Sequence, residues 1–138
     1  MPWYVYGILS AFFAGLVAVF GKLGLKNVDS TLATSVRAVI MAVFLVIVAT
    51  SLGKWQQIGT ISGKALYFII LSGVAGALSW LFYFYALKQG NVAGVAVVDR
   101  MSIIFAVLFA ALFLGEAITL KSGIALVLVL AGAVLMII

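Results

Sequence analysis

The residues best suited to chemistry form a short polar run, Asp99-Arg100-Met101-Ser102, inside an otherwise apolar stretch. That stretch, Asn91 to Leu114, contains no other ionisable residue and is long enough to cross a bilayer. A charge inside hydrocarbon costs at least ~2.5–3.5 kcal/mol, so such residues usually face a cavity or a partner and carry function. The run therefore predicts an internal polar site in a polytopic membrane protein.

Three side chains on different apolar stretches are predicted to share one depth in the membrane. Arg37 lies seven residues inside an apolar stretch that begins at Ser30, and Asp99 lies eight residues inside the stretch that begins at Asn91. Trp80 lies eight residues before Lys88, where the stretch between these two ends. At about 1.5 Å per helical residue, all three lie about 10–12 Å below one surface. Equal depth is what a shared pocket requires, and Tyr83 follows Trp80 on the same helical stripe. Two alternatives stay open: the aromatic residues act only as interfacial anchors, or the charges only lock helix packing.

The charge balance of this predicted pocket indicates its ligand. Arg37 and Asp99 are expected to pair, since each is otherwise an uncompensated charge in the membrane. Arg100 points about 100° away from Asp99 around the helix and keeps its positive charge. The site is then net cationic, which favours an anion or a carboxylate-bearing zwitterion.

The composition excludes most other classes of protein. Hydrophobic residues make up 67% of the chain and charged residues 8%, against roughly 25% charged in an average soluble domain. There is no Cys and no His, which removes thiol nucleophiles, imidazole relays and Cys/His metal sites. No paired acids or nucleophile–base arrangement is visible, so we expect neither an enzyme nor a bound cofactor or metal. The basic residues are scattered singly, which argues against a nucleic-acid partner.

Five membrane-spanning helices are predicted, in one domain covering residues 1–138 of an all-α protein. Their expected bounds are Pro2–Gly21, Ser30–Leu52, Ala65–Leu87, Asn91–Leu114 and Ser122–Ile138. Asp29 is a suitable N-cap for the second span, and Gly90 is expected to adopt the left-handed conformation after the third. The small residues Gly73, Gly76 and Ala77 form a smooth stripe on the third span that favours close helix packing.

The lysines give almost no bias in orientation. Lys22, Lys26 and Lys88 are expected on one side of the membrane, and Lys54, Lys64 and Lys121 on the other. Since a lysine and arginine excess normally orients a membrane protein, this balance is compatible with insertion in both directions. The alternative is a weak bias that favours a single orientation.

Several short features of the chain resemble a known transporter family. In order they are Lys22 after a Gly-rich first span, Arg37 early in the second, Tyr83-Phe84-Tyr85-Ala86-Leu87-Lys88 ending the third, Leu114-Gly115-Glu116 closing the fourth, and Ala131-Gly132 in the fifth. Their series and spacing resemble one repeat of the EamA-type transporters of the drug/metabolite transporter superfamily, over essentially the whole chain.

The resemblance implies one half of an inverted-repeat fold, because most members carry two five-helix repeats around a central cavity. It implies a multi-pass protein of the cytoplasmic membrane that transports a small metabolite. A chain with one repeat would need a partner, either a second copy in an antiparallel homodimer or an oppositely oriented paralogue, with membrane lipid around both. Substrate-binding or gating roles are expected for the following residues: Lys22, Arg37, Trp80, Tyr83, Asp99, Arg100 and Ser102.

One departure from the family concerns the fourth span. Many repeats carry a Pro where this chain reads Arg100-Met101-Ser102-Ile103, so we expect the helix break that a Pro would cause to be missing.

Two functions other than metabolite transport stay open. The first alternative function is a lipid-linked sugar flippase or a subunit of one. The second is an assembly subunit that transports nothing, in which the membrane charges would tolerate neutral replacement.

Overall fold

The computed structural model describes residues 2–138, and every regular element in that range is helical. The elements are α1 (Trp3–Gly24), α2 (Ser30–Ser51), a 3₁₀ helix (Lys54–Thr60), α3 (Gly63–Gln89), α4 (Val92–Asp99), α5 (Ser102–Phe109), a π-helical turn (Ala110–Leu114) and α6 (Leu120–Ile137).

Four segments are long and apolar enough to cross a membrane: α1, α2, α3, and the run Val92–Leu114 that contains α4, α5 and the π-helical turn. These correspond to the first four predicted spans, with bounds that differ by at most three residues. The last apolar helix, α6, is shorter than these four. These four helical segments support a multi-pass membrane protein, while the fifth span stays a prediction.

The chain divides into two compact units. The first contains the residues up to Lys22 together with Gln89–Ile138. In it α4 packs against α6, and the Lys22 ammonium donates a 2.8 Å hydrogen bond to the carbonyl of Gly90. Ala18 and Ala133 are buried.

The second unit, Leu23–Lys88, is built from α2 and α3. Near the start of α2, the Thr31 hydroxyl lies 2.8 Å from the Tyr85 hydroxyl near the end of α3, so the two helices run in opposite directions. At the same end, the Lys88 ammonium donates a 2.9 Å hydrogen bond to the carbonyl of Val28 in the loop before α2. Polar contacts therefore hold this end of the helix pair together.

Asp29 starts α2, as the sequence predicts. One of its carboxylate oxygens accepts hydrogen bonds from the amides of Leu32 and Thr31, at 3.0 and 2.9 Å. Because these amides stabilise the ionised form, with Leu32 contributing most and the nearby Lys88 ammonium adding to it, the pKa of Asp29 is lowered below its usual value.

The predicted left-handed conformation of Gly90 is wrong. Among residues 2–138, positive φ angles occur at Gly53 (63°) and Gly115 (69°). The turn after α3 is closed by side chains instead: Lys22 donates to the Gly90 carbonyl, and Asn91 accepts a 2.6 Å hydrogen bond from the Gly94 amide. With these contacts supplied, a glycine with positive φ is not needed there.

Candidate functional site

Arg37 is held against an aromatic ring inside the second unit. Its guanidinium carbon lies 3.6 Å from the centroid of the Trp80 ring and 5.6 Å from that of Phe84. A cation over an indole face gains about 0.5–1 kcal/mol when exposed and about 2 kcal/mol or more when desolvated. This contact offsets part of the free-energy cost of a positive charge within an apolar span.

The indole of Trp80 is itself fixed by its neighbours on α3. Tyr83 meets it edge-on, with ring centroids 5.5 Å apart and planes at 81°, and Phe84 lies at 6.1 Å and 64°. Phe84 is buried. Because the three residues are spaced by three and four positions, they share one face of the helix. The ring beneath Arg37 is therefore part of a packed aromatic cluster.

A cavity of about 860 Å³ lies beside this contact, between α2 and α3. Every residue that lines it belongs to the second unit. From α2 these are Thr31, Thr34, Ser35, Arg37, Ala38, Met41, Ala42 and Leu45. From α3 they are Gly73, Val74, Gly76, Ala77, Leu78, Trp80 and Leu81.

The polar groups of this cavity are concentrated at one end. Two of the hydroxyls donate to backbone carbonyls of their own helix, Thr34 to Ser30 at 2.7 Å and Ser35 to Thr31 at 2.9 Å. Within residues 2–138, no oxygen accepts a hydrogen bond from the Arg37 guanidinium. The cavity therefore offers one cation with N–H groups that a ligand can use, and an anion is the ligand that suits it.

The fourth span contains a break at the polar run. Helix α4 ends at Asp99 and α5 begins at Ser102. Between them the amides of Arg100 and Met101 donate to carbonyls three residues back, those of Val97 at 3.1 Å and Val98 at 2.9 Å. The expectation that the missing Pro leaves this helix unbroken is therefore wrong. The turn tightens through i→i−3 hydrogen bonds, which need no proline.

The three polar residues at the break differ in exposure. Asp99 is half-buried, and Arg100 and Ser102 are exposed. They belong to the first unit, whereas Arg37, Trp80 and Tyr83 belong to the second. The structure brings Arg37 and Trp80 together, and Tyr83 supports Trp80 without lining the cavity. The pairing of Arg37 with Asp99 would join the two units, and it stays a prediction.

The fourth span is irregular a second time at its far end. Residues Ala110–Leu114 form a π-helical turn, and the Glu116 amide donates a 3.3 Å hydrogen bond to the carbonyl of Ala110, six residues back. Gly115 closes the span with a φ of +69°. The end of the span at Leu114 agrees with the prediction. The π-helical turn and the left-handed Gly115 were not predicted, although a glycine directly after an apolar run is a common sign of such a terminus.

Two other predicted features have defined surroundings. The Lys22 ammonium is hydrogen bonded to the Gly90 carbonyl, which makes it part of a turn between helices. Gly73, Gly76 and Ala77 line the cavity, and a Cβ added at either glycine meets no atom within 4 Å. The close packing of another helix on this stripe stays a prediction.

Sequence reasoning missed the wall of the cavity formed by α2. Thr34 and Met41 lie three positions before and four positions after Arg37, so they share its face of the helix. Extending that spacing from Arg37 in both directions would have predicted most of the α2 residues that line the cavity. No group of three or more His, Cys, Asp or Glu side chains that could hold a metal occurs in the part of the chain that the structure describes.

Comparison with known proteins identifies the family of this chain. The chain matches the EamA-like transporter family over residues 1–138. It is 40% identical over 134 residues to the "uncharacterized transporter in cobO 3'region" of Sinorhizobium sp, a match that covers 97% of this chain and 95% of that one. It is 35% identical over 77 residues to the pseudopaline exporter CntI of Pseudomonas aeruginosa, covering 56% of this chain and 27% of that one. No solved structure matches the chain.

Proposed function

We propose that this chain, which belongs to the EamA-like transporter family, is a secondary transporter that exports or exchanges a small carboxylate-bearing metabolite across the cytoplasmic membrane. The observation that carries this proposal is Arg37, whose guanidinium lies on Trp80 at the polar end of a cavity within the span. A guanidinium is permanently charged and presents a planar fork of donors that matches a carboxylate. Export is favoured by the relative named as the pseudopaline exporter.

The proposal includes an antiparallel dimer. Inverted repeats around a site near the membrane midplane are a general design of secondary transporters, and one repeat cannot supply both halves. The match to the Sinorhizobium relative covers 95% of that protein, so the two chains are similar in length. The balance of lysines between the two expected sides, Lys22, Lys26 and Lys88 against Lys54, Lys64 and Lys121, supports insertion in both orientations. An oppositely oriented paralogue would meet the same need.

Transport is tested with the purified protein in proteoliposomes. Uptake of a panel of labelled small carboxylates is compared with uptake of the matching amides, in the parent and in Arg37→Gln. We expect the parent to prefer the carboxylates and Arg37→Gln to lose that preference. The matched control is Lys54→Gln, which removes one positive charge from the 3₁₀ helix outside the predicted spans and should leave transport unchanged. Full carboxylate transport by Arg37→Gln would overturn the proposal.

The dimer is tested separately by topology, which a chain without cysteine makes simple. Single cysteines are placed at Asn27 and Gln57, two exposed positions in the connections on either side of α2. Asp29 and Ser62 are avoided because their side chains accept hydrogen bonds from helix amides. Labelling of each site from both faces of intact cells supports an antiparallel homodimer. Labelling of each site from one face only would exclude it and direct attention to an opposite-facing partner chain.

A further inference from the structure

We propose that the cavity between α2 and α3 binds amphiphilic carboxylates, with the carboxylate on Arg37 and an apolar substituent in the other half of the cavity. This inference rests on the proposed function and deepens it by naming the substrate class. It assigns a role to the apolar half of the cavity, which a small, fully polar metabolite would leave unused.

The polar half of the cavity presents a cation in a restrained position. Trp80 holds the Arg37 guanidinium at 3.6 Å, and the Thr31 and Ser35 hydroxyls line the same end. Within residues 2–138, the N–H groups of Arg37 donate no hydrogen bond to a protein oxygen. A planar anion can therefore accept two parallel hydrogen bonds there, which a cationic head group cannot do.

The apolar half begins about one helical turn further along α2. Met41, Ala42 and Leu45 line it from α2, and Gly73, Val74 and Gly76 line it from α3. No ionisable side chain lines this half. From Arg37 to Leu45 the helix rises about 12 Å, which leaves room for an alkyl chain or an aromatic group beyond the carboxylate.

The glycines of α3 keep this half open. A Cβ added at Gly73 or Gly76 meets no atom within 4 Å, so the wall is smooth and there is room for a ligand atom beside each glycine. An apolar group that enters gains free energy in proportion to the surface it removes from water. Each further methylene that fits should tighten binding about fourfold.

An anionic group joined to an apolar chain can come from two sources, a soluble amphiphilic carboxylate and an anionic lipid whose acyl chain occupies the apolar half. Both place a negative group beside an apolar chain. The cavity lies within the predicted spans, where both can reach it. The test therefore contains one arm for each source.

Trp80 provides a reporter inside the site. The chain has three tryptophans, so the double substitution Trp3→Phe, Trp55→Phe leaves only the ring that contacts Arg37. Fluorescence of this variant is titrated with butanoate, hexanoate and octanoate in nanodiscs of zwitterionic phosphatidylcholine. A second variant, Trp55→Phe, Trp80→Phe, leaves only Trp3 on α1 and reports partition of the acids into the lipid.

We expect octanoate, which has four more methylenes, to bind about 250-fold more tightly than butanoate at Trp80, with no saturable response at Trp3. Octanol, which lacks the charge, should bind far more weakly, and Arg37→Gln should remove the difference between octanoate and octanol. Equal affinity for butanoate and octanoate would overturn the inference, as would an equal response of the two reporters.

A bulky residue in the apolar half supplies a second, independent test. Gly76→Leu should abolish the advantage of octanoate over butanoate. Gly7→Leu is the matched control on α1, because an added Cβ there also meets nothing within 4 Å. Unchanged dependence on chain length in Gly76→Leu would show that the apolar half is not part of the site.

The two sources are separated by adding anionic phosphatidylglycerol to the nanodiscs. An increase in the apparent Kd for octanoate identifies the lipid as an occupant, and an unchanged Kd identifies a soluble carboxylate. Failure of this inference is distinguishable from failure of the proposed function. Binding that depends on chain length without transport would overturn only the transporter, and transport indifferent to chain length would overturn only the inference.

Discussion

The second and fourth spans both carry charge, and they accommodate it in different ways. Arg37 lies in the first half of α2, which continues without interruption from Ser30 to Ser51, and an indole ring 3.6 Å away covers its guanidinium. Asp99 and Arg100 lie where the fourth span stops being α-helical, between α4 and α5. The second span therefore keeps a continuous helix and covers its charge with an aromatic side chain, whereas the fourth span carries its charges where the α-helix is interrupted.

This difference predicts different roles for the two regions. A charge fixed by a packed aromatic cluster suits ligand binding, because its position is set before the ligand arrives. A helix that tightens at one point and loosens into a π turn at another suits movement, since both irregularities often occur at hinges and functional sites. Discontinuous helices with polar residues at the break are also a feature of transporter sites.

Proline substitution should give the largest difference in stability between the second and the fourth span. Val43→Pro falls inside continuous α2 and is expected to cost about 3 kcal/mol or more in stability. Ser102→Pro falls on the first residue of α5, where a missing amide hydrogen is tolerated, and should cost much less. Unfolding of both variants in detergent measures the difference. Equal destabilisation would mean that the fourth span behaves as an unbroken helix.

Neutralising the two arginines should affect transport in different ways. Arg37→Gln removes a charged hydrogen bond donor to the ligand, so we expect KM to rise about 10- to 100-fold. Arg100→Gln, at the break, should lower kcat and leave KM nearly unchanged. Both constants are obtained from initial rates in proteoliposomes. Transport by Arg100→Gln at the parental rate would count against a gating role for the break.

The far end of the fourth span depends on a glycine with positive φ. Gly115→Ala places a side chain at a φ of +69° and should destabilise the protein by about 1–2 kcal/mol. Gly7→Ala, inside regular α1, should instead stabilise it by about 0.5–1 kcal/mol. Thermal unfolding of the two variants side by side tests the contrast, and a shift in the same direction for both would refute it.

The smallest effect is expected at the N-cap of α2. The pKa of Asp29 is lower in the folded protein than in the unfolded chain, so its carboxylate adds stability above its unfolded pKa. That contribution is lost as the pH falls through the folded pKa. Asp29→Asn keeps a good capping residue and should lower Tm slightly at pH 7, with a flatter dependence of Tm on acid pH. Curves of Tm against pH that stay parallel for parent and variant between pH 7 and pH 3 would contradict this prediction.

Several features were readable from the sequence because they depend on neighbours along the chain. The four long spans follow from the length of the apolar runs, and the Asp29 cap follows from its position before an apolar helix. The break at Arg100 was missed because its residues include neither Gly nor Pro, which are the usual signals of a helix interruption. The sequence predicted a left-handed glycine at Gly90, whereas positive φ occurs at Gly115 at the end of the next span. Gly90 does not need this conformation because lysine and asparagine side chains close the turn after α3.

The sequence by itself determined that this chain is a multi-pass membrane protein with charges in two spans, because the free-energy cost of exposing apolar groups to water or charges to lipid depends on composition alone. It also placed Arg37 and Trp80 at one depth, because the rise per helical residue is constant. Only the tertiary structure decided that their side chains touch and that a cavity with one polar and one apolar half opens beside them. Those facts depend on the rotation and spacing of α2 and α3, and both are set by contacts between residues that are far apart in the sequence.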